Sequence, residues 1–220
     1  TGKRFNLGYS HLYRNEAGSF ADSGELLTGV SNGAVAWGDY DNDGDLDFVL
    51  TGYGSTGHAS QVYRNDAGSF VLDAELLGLR YSAAAWGDYD NDGDLDLVLS
   101  GMDSSGRAVT KLYRNDAAVA NTPPTAPAGL SAVFHGTFVE LSWQAAVDAQ
   151  TPAEGLTYNL RAGTTPGGID LLAPMASSSG YRHLAQLGNA YHGLTATLAL
   201  ASLPPGATCY WSVQAIDSAW

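Results

Sequence analysis

The chain has a single cysteine, Cys209, among 220 residues, so no internal disulfide is possible. Missing disulfides ordinarily point to a reducing compartment. A protein stapled by metal ions is exempt from that rule, because it can persist outside the cell without them. Basic residues are scarce: 10 Lys and Arg stand against 23 Asp and Glu, for a formal charge of −13. Nucleic-acid binding needs Lys and Arg to displace counterions, and this balance excludes it. No apolar run approaches the roughly 20 residues that span a bilayer as a helix. The five histidines (His11, His58, His135, His183, His192) have no ligand spacing such as His-x-x-x-His. No signal peptide stands at the start. The chain begins at Thr1 in mid-pattern and reads as a fragment or a processed chain.

What is abundant is glycine, at 27 residues, while only 15% of the chain is charged. Turns and short strands fit that composition better than long helices. The acid is unevenly spread: residues 1–116 hold 18 acids against 8 bases, and residues 117–220 hold 5 against 2. Ten of the 18 lie in two nine-residue stretches, Asp39-Tyr-Asp-Asn-Asp-Gly-Asp-Leu-Asp47 and its copy, residues 88–96. Carboxylates at alternate positions repel one another by about 1 kcal/mol per close pair even in water. A cation that neutralises them removes that cost.

The ligand types specify the cation. Asp39, Asp41, Asp43 and Asp47 occupy loop positions 1, 3, 5 and 9, and Gly44 at position 6 permits a sharp turn with positive φ. Asp45 at position 7 is expected to offer its backbone carbonyl and turn its side chain to solvent. About five protein oxygens plus water approach the 6–8 that Ca²⁺ takes. Mg²⁺ wants a stricter octahedron, and Zn²⁺ or Cu²⁺ would want nitrogen or sulfur. The second loop offers Asp88, Asp90, Asp92, Asp94 and Asp96 around Gly93. Two Ca²⁺ sites are therefore expected. An EF-hand is excluded, because its twelfth position needs a bidentate Glu and here holds Leu50 or Leu99. The bland alternative, a solvated acidic turn, does not explain two copies with every ligand position filled.

The loops belong to a longer repeat. Leu12-Tyr13-Arg14-Asn15 returns as Val62-Tyr63-Arg64-Asn65 and as Leu112-Tyr113-Arg114-Asn115. Ala17-Gly18-Ser19-Phe20 returns at residues 67–70, Glu25-Leu26-Leu27 at 75–77, and Ala36-Trp37-Gly38 at 85–87. One repeat contains four strand-like pieces: one around Phe20, then Ala34–Trp37, Leu46–Leu50 and His58–Arg64. Leu46–Leu50 and Leu95–Leu99 read as strands buried on both faces. Four strands in about 50 residues is the size of a β-propeller blade. The expected fold is all-β: a partial propeller over 1–117, with full blades at about 16–65 and 66–116 and part of another before them. Propellers close with about 4–8 blades, so further repeats are expected before Thr1.

These motifs resemble the VCBS/FG-GAP repeats, bacterial relatives of the blades in integrin α-subunits. The resemblance covers about residues 1–116. It implies Ca²⁺ held by the ten Asp residues named above, and a secreted or cell-surface bacterial protein that binds or adheres. After the apolar strand the integrin-like repeats read Gly-Ala-Pro, whereas this chain has Thr51-Gly52-Tyr53 and Ser100-Gly101-Met102. That favours the VCBS-like branch, in which the ligand varies.

Residues 118–128 carry three prolines and no alternation, as a linker does. Beyond them Phe138–Trp143, Leu156–Arg161, Leu194–Leu203 and Thr208–Ile216 alternate as short strands of a β-sandwich. This part, 129–220, resembles a fibronectin type III domain cut short at its last strand. The resemblance makes Trp143 the core aromatic and Tyr210 the tyrosine-corner residue. No Arg-Gly-Asp tripeptide is present.

Other candidates have plainer explanations. His183 and His192 with Asp170 and the serines of Ser177-Ser178-Ser179-Gly180 make a poor hydrolase triad, and the serine run reads as a loop. Cys209 reads as a buried small hydrophobe. Trp37 and Trp86 read as core packing rather than sugar platforms. Tyr13, Tyr63 and Tyr113 recur too regularly to form one site. The expected function is a non-catalytic, calcium-stabilised extracellular binding or adhesion module, its partner a protein or carbohydrate on a cell surface or in the extracellular matrix. The alternative is an accessory region of a larger secreted enzyme, such as one that degrades polysaccharide.

Overall fold

The computed structural model describes residues 8–90, 92–117, 119, 121–177, 186–199 and 206–218. Among them every regular element is a β-strand, and the strands fall into several sheets, none closed into a barrel. Among the described residues no helix is long and apolar enough to cross a membrane. The chain divides into two compact units: Thr1–Asp41 with Asp45–Ala118, and Asn42–Gly44 with Val119–Trp220.

The first unit opens with a hairpin, β1 (Tyr13–Glu16) and β2 (Ser19–Asp22). Its two-residue turn puts Ala17 at φ 51° and Gly18 at φ 91°. Positive φ at both positions matches the right-handed twist of the flanking strands. The Asn15 side chain caps the turn by accepting the Gly18 N–H at 2.9 Å. Asn65 does the same for Gly68 at 2.7 Å, with Ala67 at φ 52°. The spacing from Tyr-Arg-Asn to Gly-Ser-Phe is thus the spacing of a side-chain-capped hairpin.

Next come β3 (Val30–Ser31), β4 (Val35–Gly38), β5 (Asp47–Gly54), β6 (Gly57–Asp66), β7 (Ser69–Gly87), β8 (Asp96–Met102) and β9 (Ala108–Tyr113). They pair antiparallel in the order β3-β5-β6-β7-β8-β9, with β4 also on β5. The strand pieces anticipated in the first repeat fall on β2, β4, β5 and β6. The 19-residue β7 is the surprise. Residues 69–79 of β7 pair with β6 and residues 80–87 pair with β8, with Tyr81 at φ 48° in the register shift between Arg80 and Ala83. The equivalent segment of the first repeat breaks instead into β2, β3 and β4, and Asn32 takes the matching φ of 52°. One strand therefore leaves the first strand group (β4, β5, β6 and early β7) and opens the second (late β7, β8, β9).

The apolar β5 is buried on both faces, as its composition predicts. Val49 joins Val62, Leu79, Leu97 and Leu99 in a core shared by the two groups. Phe48 and Leu50 face the other way, with Tyr63, against Leu27, Val30 and Phe70.

The second unit contains β10 (Ala128–Phe134), β11 (Phe138–Gln144), β12 (Thr157–Gly163), β13 (Thr195–Ala199) and β14 (Tyr210–Ile216). One sheet runs β10-β11-β13 and the other pairs β12 with β14. They enclose one core of Leu141, Trp143, Leu156, Tyr158, Leu160 and Ala215. The Tyr158 hydroxyl accepts the Ala146 N–H at 3.1 Å inside that core. Beyond the edge of β12, Asn189 both donates to and accepts from the Leu160 backbone, each at 2.7 Å, in place of a ladder partner.

Several expectations need correcting. Tyr210 is 42% exposed, not packed as a corner residue. Cys209 is half-buried, because it precedes β14 rather than lying within it. Trp37 is 43% exposed, whereas Trp86 is packed. β13 ends at Ala199; positions 200–203 of the expected strand lie outside the described residues, as do Ser178, Ser179, Gly180 and His183.

Candidate metal centres

Each Asp loop joins two register-paired strands. Gly38 faces Asp47 across β4 and β5, and Gly87 faces Asp96 across β7 and β8. The loops are therefore hairpin ends in equivalent places. Gly44 and Gly93 both sit at φ 94°, the left-handed turn their position requires.

The last carboxylate of each loop serves the backbone. Asp47 Oδ2 accepts the Tyr40 N–H at 3.0 Å and Oδ1 accepts the Asn65 N–H at 2.8 Å. Asp96 repeats both bonds, to Tyr89 at 3.0 Å and Asn115 at 2.8 Å. Asp45 accepts from Ala67 at 3.1 Å, and Asp94 from Ala117 at 2.8 Å. The Asp45 side chain thus points to the Ala67–Gly68 hairpin turn and not to solvent, which corrects the expectation for it, and Asp94 bonds the equivalent position after β9. An ionised carboxylate has about four acceptor positions, so these bonds leave room for a metal.

Three acids of each loop cluster. Asp39, Asp41 and Asp43 bring one carboxylate oxygen each within 4.8 Å of the others, and Asp88, Asp90 and Asp96 do the same. Two oxygens bound to one Ca²⁺ at 2.3–2.6 Å are at most about 5 Å apart, so both clusters fit that ion. The donors are all oxygen, as a hard cation wants. Asp45 and Asp47 stand outside the first cluster, and Asp92 and Asp94 outside the second.

The electrostatics also call for a cation. Burial pushes the Asp47 carboxyl up to about 7, with Asp41 and Asp39 adding repulsion against the bonds from Asn65 and Tyr40. Asp90 is raised by burial and by Asp92, and the Arg114 guanidinium opposes the shift. Arg114 lies 3.3 Å from Asp90, 3.5 Å from Asp92 and 2.6 Å from Asp116. Arg64, its counterpart, pairs with Asp66 at 3.1 Å. The second loop thus already has a partial counter-charge.

Reading the Asp loops alone misses their outer partners. Asn65 and Asn115 supply the N–H groups that hold Asp47 and Asp96, and Arg114 supplies the charge. The repeated Tyr-Arg-Asn was the available signal. Elsewhere the polar candidates are dispersed. Asp170 bonds Thr164, and His192 Nδ1 lies 3.0 Å from the Leu156 carbonyl oxygen. His11 meets Asp22, while His58 and His135 pack on Tyr53 and Phe138.

Residues 39–99 match the FG-GAP-like repeat family model, a span running from the first Asp loop through β5, β6 and β7 and the second loop into β8. No curated protein matches the chain.

Proposed function

We propose that this chain is a calcium-stabilised, non-catalytic binding or adhesion module of a secreted or cell-surface protein. The observation that carries the proposal is the pair of equivalent hairpin loops, each gathering three carboxylate oxygens within 4.8 Å. Asp39, Asp41 and Asp43 hold one Ca²⁺, and Asp88, Asp90 and Asp96 hold the other. Asp45, Asp47, Asp92 and Asp94 complete or brace the loops. The ion supplies charge neutralisation and rigidity. A cation that fixes the hairpins also fixes the loops beside them, and those present the surface that takes a protein or carbohydrate.

In this reading the first unit is a stretch of β-propeller. β4, β5, β6 and early β7 form one four-stranded blade, and late β7, β8 and β9 are three strands of the next. The β1-β2 hairpin is the outer part of a preceding blade. Counting from the Ala-Trp-Gly strand moves the blade boundaries away from 16–65 and 66–116, because β7 serves two blades. The second unit is a fibronectin type III-like sandwich. Its sheets, β10-β11-β13 and β12-β14, have the order of strands A-B-E and C-F of that architecture, around a buried tryptophan.

The test is binding of the intact chain to arrays of glycans and matrix proteins, with Ca²⁺ and with chelator. Calcium-dependent capture that Asp39→Asn and Asp88→Asn weaken is expected. Binding indifferent to calcium and to both variants refutes the reading.

A further inference from the structure

A path of hydrogen bonds joins the two Asp loops, and it breaks the symmetry of the repeat. Asn65 and Asn115 occupy one repeat position, and each gives its backbone N–H to the last carboxylate of a loop. Their side chains differ. Asn65 Nδ2 donates to the Leu46 carbonyl at 3.1 Å, in the loop its own N–H already braces. Asn115 Nδ2 donates instead to the Tyr40 carbonyl at 2.6 Å, in the loop of the other strand group.

Tyr40 lies between Asp39 and Asp41, and its N–H donates to Asp47 at 3.0 Å. Asp96, Asn115, Tyr40 and Asp47 therefore link the second loop to the first without a gap. A second link runs beside this one. The indole of Trp86, two residues before Asp88, stacks on the Tyr40 ring at 6.0 Å and 13°, and its N–H donates to the Ala36 carbonyl at 3.1 Å. Asp96 also belongs to the carboxylate cluster of its loop, so whatever fixes that cluster fixes the start of the path.

We infer that the two sites, on the calcium reading above, bind cooperatively: an ion in either loop raises the affinity of the other through the Asn115–Tyr40 contact. An ion on Asp88, Asp90 and Asp96 holds Asp96, and with it the Asn115 that positions the backbone between Asp39 and Asp41. The second ion then meets a loop that is already partly ordered, and less conformational entropy is lost on binding. Linkage makes the effect equal in both directions. Direct repulsion between the two ions has the opposite sign and is screened beyond about 8 Å at physiological ionic strength. Positive cooperativity is thus the mark of the contact path.

Calorimetric titration of the full chain with Ca²⁺ in about 0.15 M salt tests this. Asp88→Asn isolates the first site and Asp39→Asn the second. The parent's overall constant for two ions should exceed the product of the two single-site constants by at least about fivefold. Asn115→Ala removes Nδ2 but keeps the N–H on Asp96. With that change in all three chains the ratio should fall to unity, whatever happens to each affinity. Tyr40→Phe keeps the carbonyl and the ring, losing the hydroxyl that donates to Asp73, and should keep the ratio. As a second readout, Ca²⁺ should slow hydrogen exchange of the Tyr40 amide in Asp39→Asn, although the first site is disabled there. No heat of binding in the parent overturns the calcium reading and this inference with it. Two bound ions with a ratio of unity or below, a ratio that survives Asn115→Ala, or unchanged Tyr40 exchange overturns the coupling and leaves the calcium reading standing.

Discussion

Asp47 accepts the backbone N–H of Asn65 at 2.8 Å, and Asp96 accepts that of Asn115 at the same distance. The final carboxylate of each loop is therefore a brace between a hairpin end and the following strand. In the first loop that brace, Asp47, stands outside the carboxylate cluster, whereas in the second loop Asp96 both braces and joins the cluster. Asp47→Ala leaves the Tyr40 and Asn65 donors without their acceptor, and an unsatisfied buried donor costs about 1–3 kcal/mol. Urea unfolding in chelator should already show that loss. Asp41→Asn should change stability chiefly when calcium is present.

Gly38 and Gly87 occupy the same position in the repeat but different surroundings. A methyl group at Gly38 meets the Trp86 ring at 2.8 Å, whereas Gly87 has open space. Gly38→Ala should cost about 1–3 kcal/mol by overpacking. Gly87→Ala should fall within about 0.5 kcal/mol of the parent, as at an unencumbered surface site. Parallel denaturant titrations make the comparison.

In the second unit, Tyr158→Phe keeps the ring and removes the acceptor of the Ala146 N–H. A loss of about 1–3 kcal/mol is expected, with the near-ultraviolet signal of Trp143 largely retained. Trp143→Ala should cost about 3–5 kcal/mol, because it empties the centre of the core.

Burial raises the Cys209 thiol above its ordinary value, and the charge of Asp170 adds to the shift. A raised thiol holds less thiolate at any given pH, and the thiolate is the nucleophile. Alkylation at neutral pH should be slower than for free cysteine, and the rate should climb to its plateau at a higher pH. A pH–rate profile with iodoacetamide measures this.

Much of the first unit was legible because its signals are local. The alternating Asp run, the glycine at its sixth position and the apolar run of β5 each act through near neighbours. The strands followed from alternation. The continuity of β7 was not legible, because a strand that exchanges one partner for another has no local mark beyond the positive φ of Tyr81. Trp37 and Trp86 have the same sequence context, and only the adjoining strand group separates the packed one from the exposed one. The side chain of Asp45 was misjudged for a related reason. Its acceptor lies close to the Ala67 N–H, 22 residues away in sequence, and only the fold brings the two together. In the second unit both aromatic assignments came from the resemblance: Trp143 is buried in the core, whereas Tyr210 stands exposed.

The central claim is that the two loops bind calcium. Calorimetric titration of the chain with Ca²⁺, paired with thermal melting, tests it most directly. The account predicts two ions per chain and a higher melting temperature. A ligand at 100 times its dissociation constant adds about 2.7 kcal/mol to stability. Mg²⁺ should stabilise less, and Asp39→Asn and Asp88→Asn should each weaken one site. Melting curves that coincide in Ca²⁺ and in chelator, with no heat of binding, would contradict it.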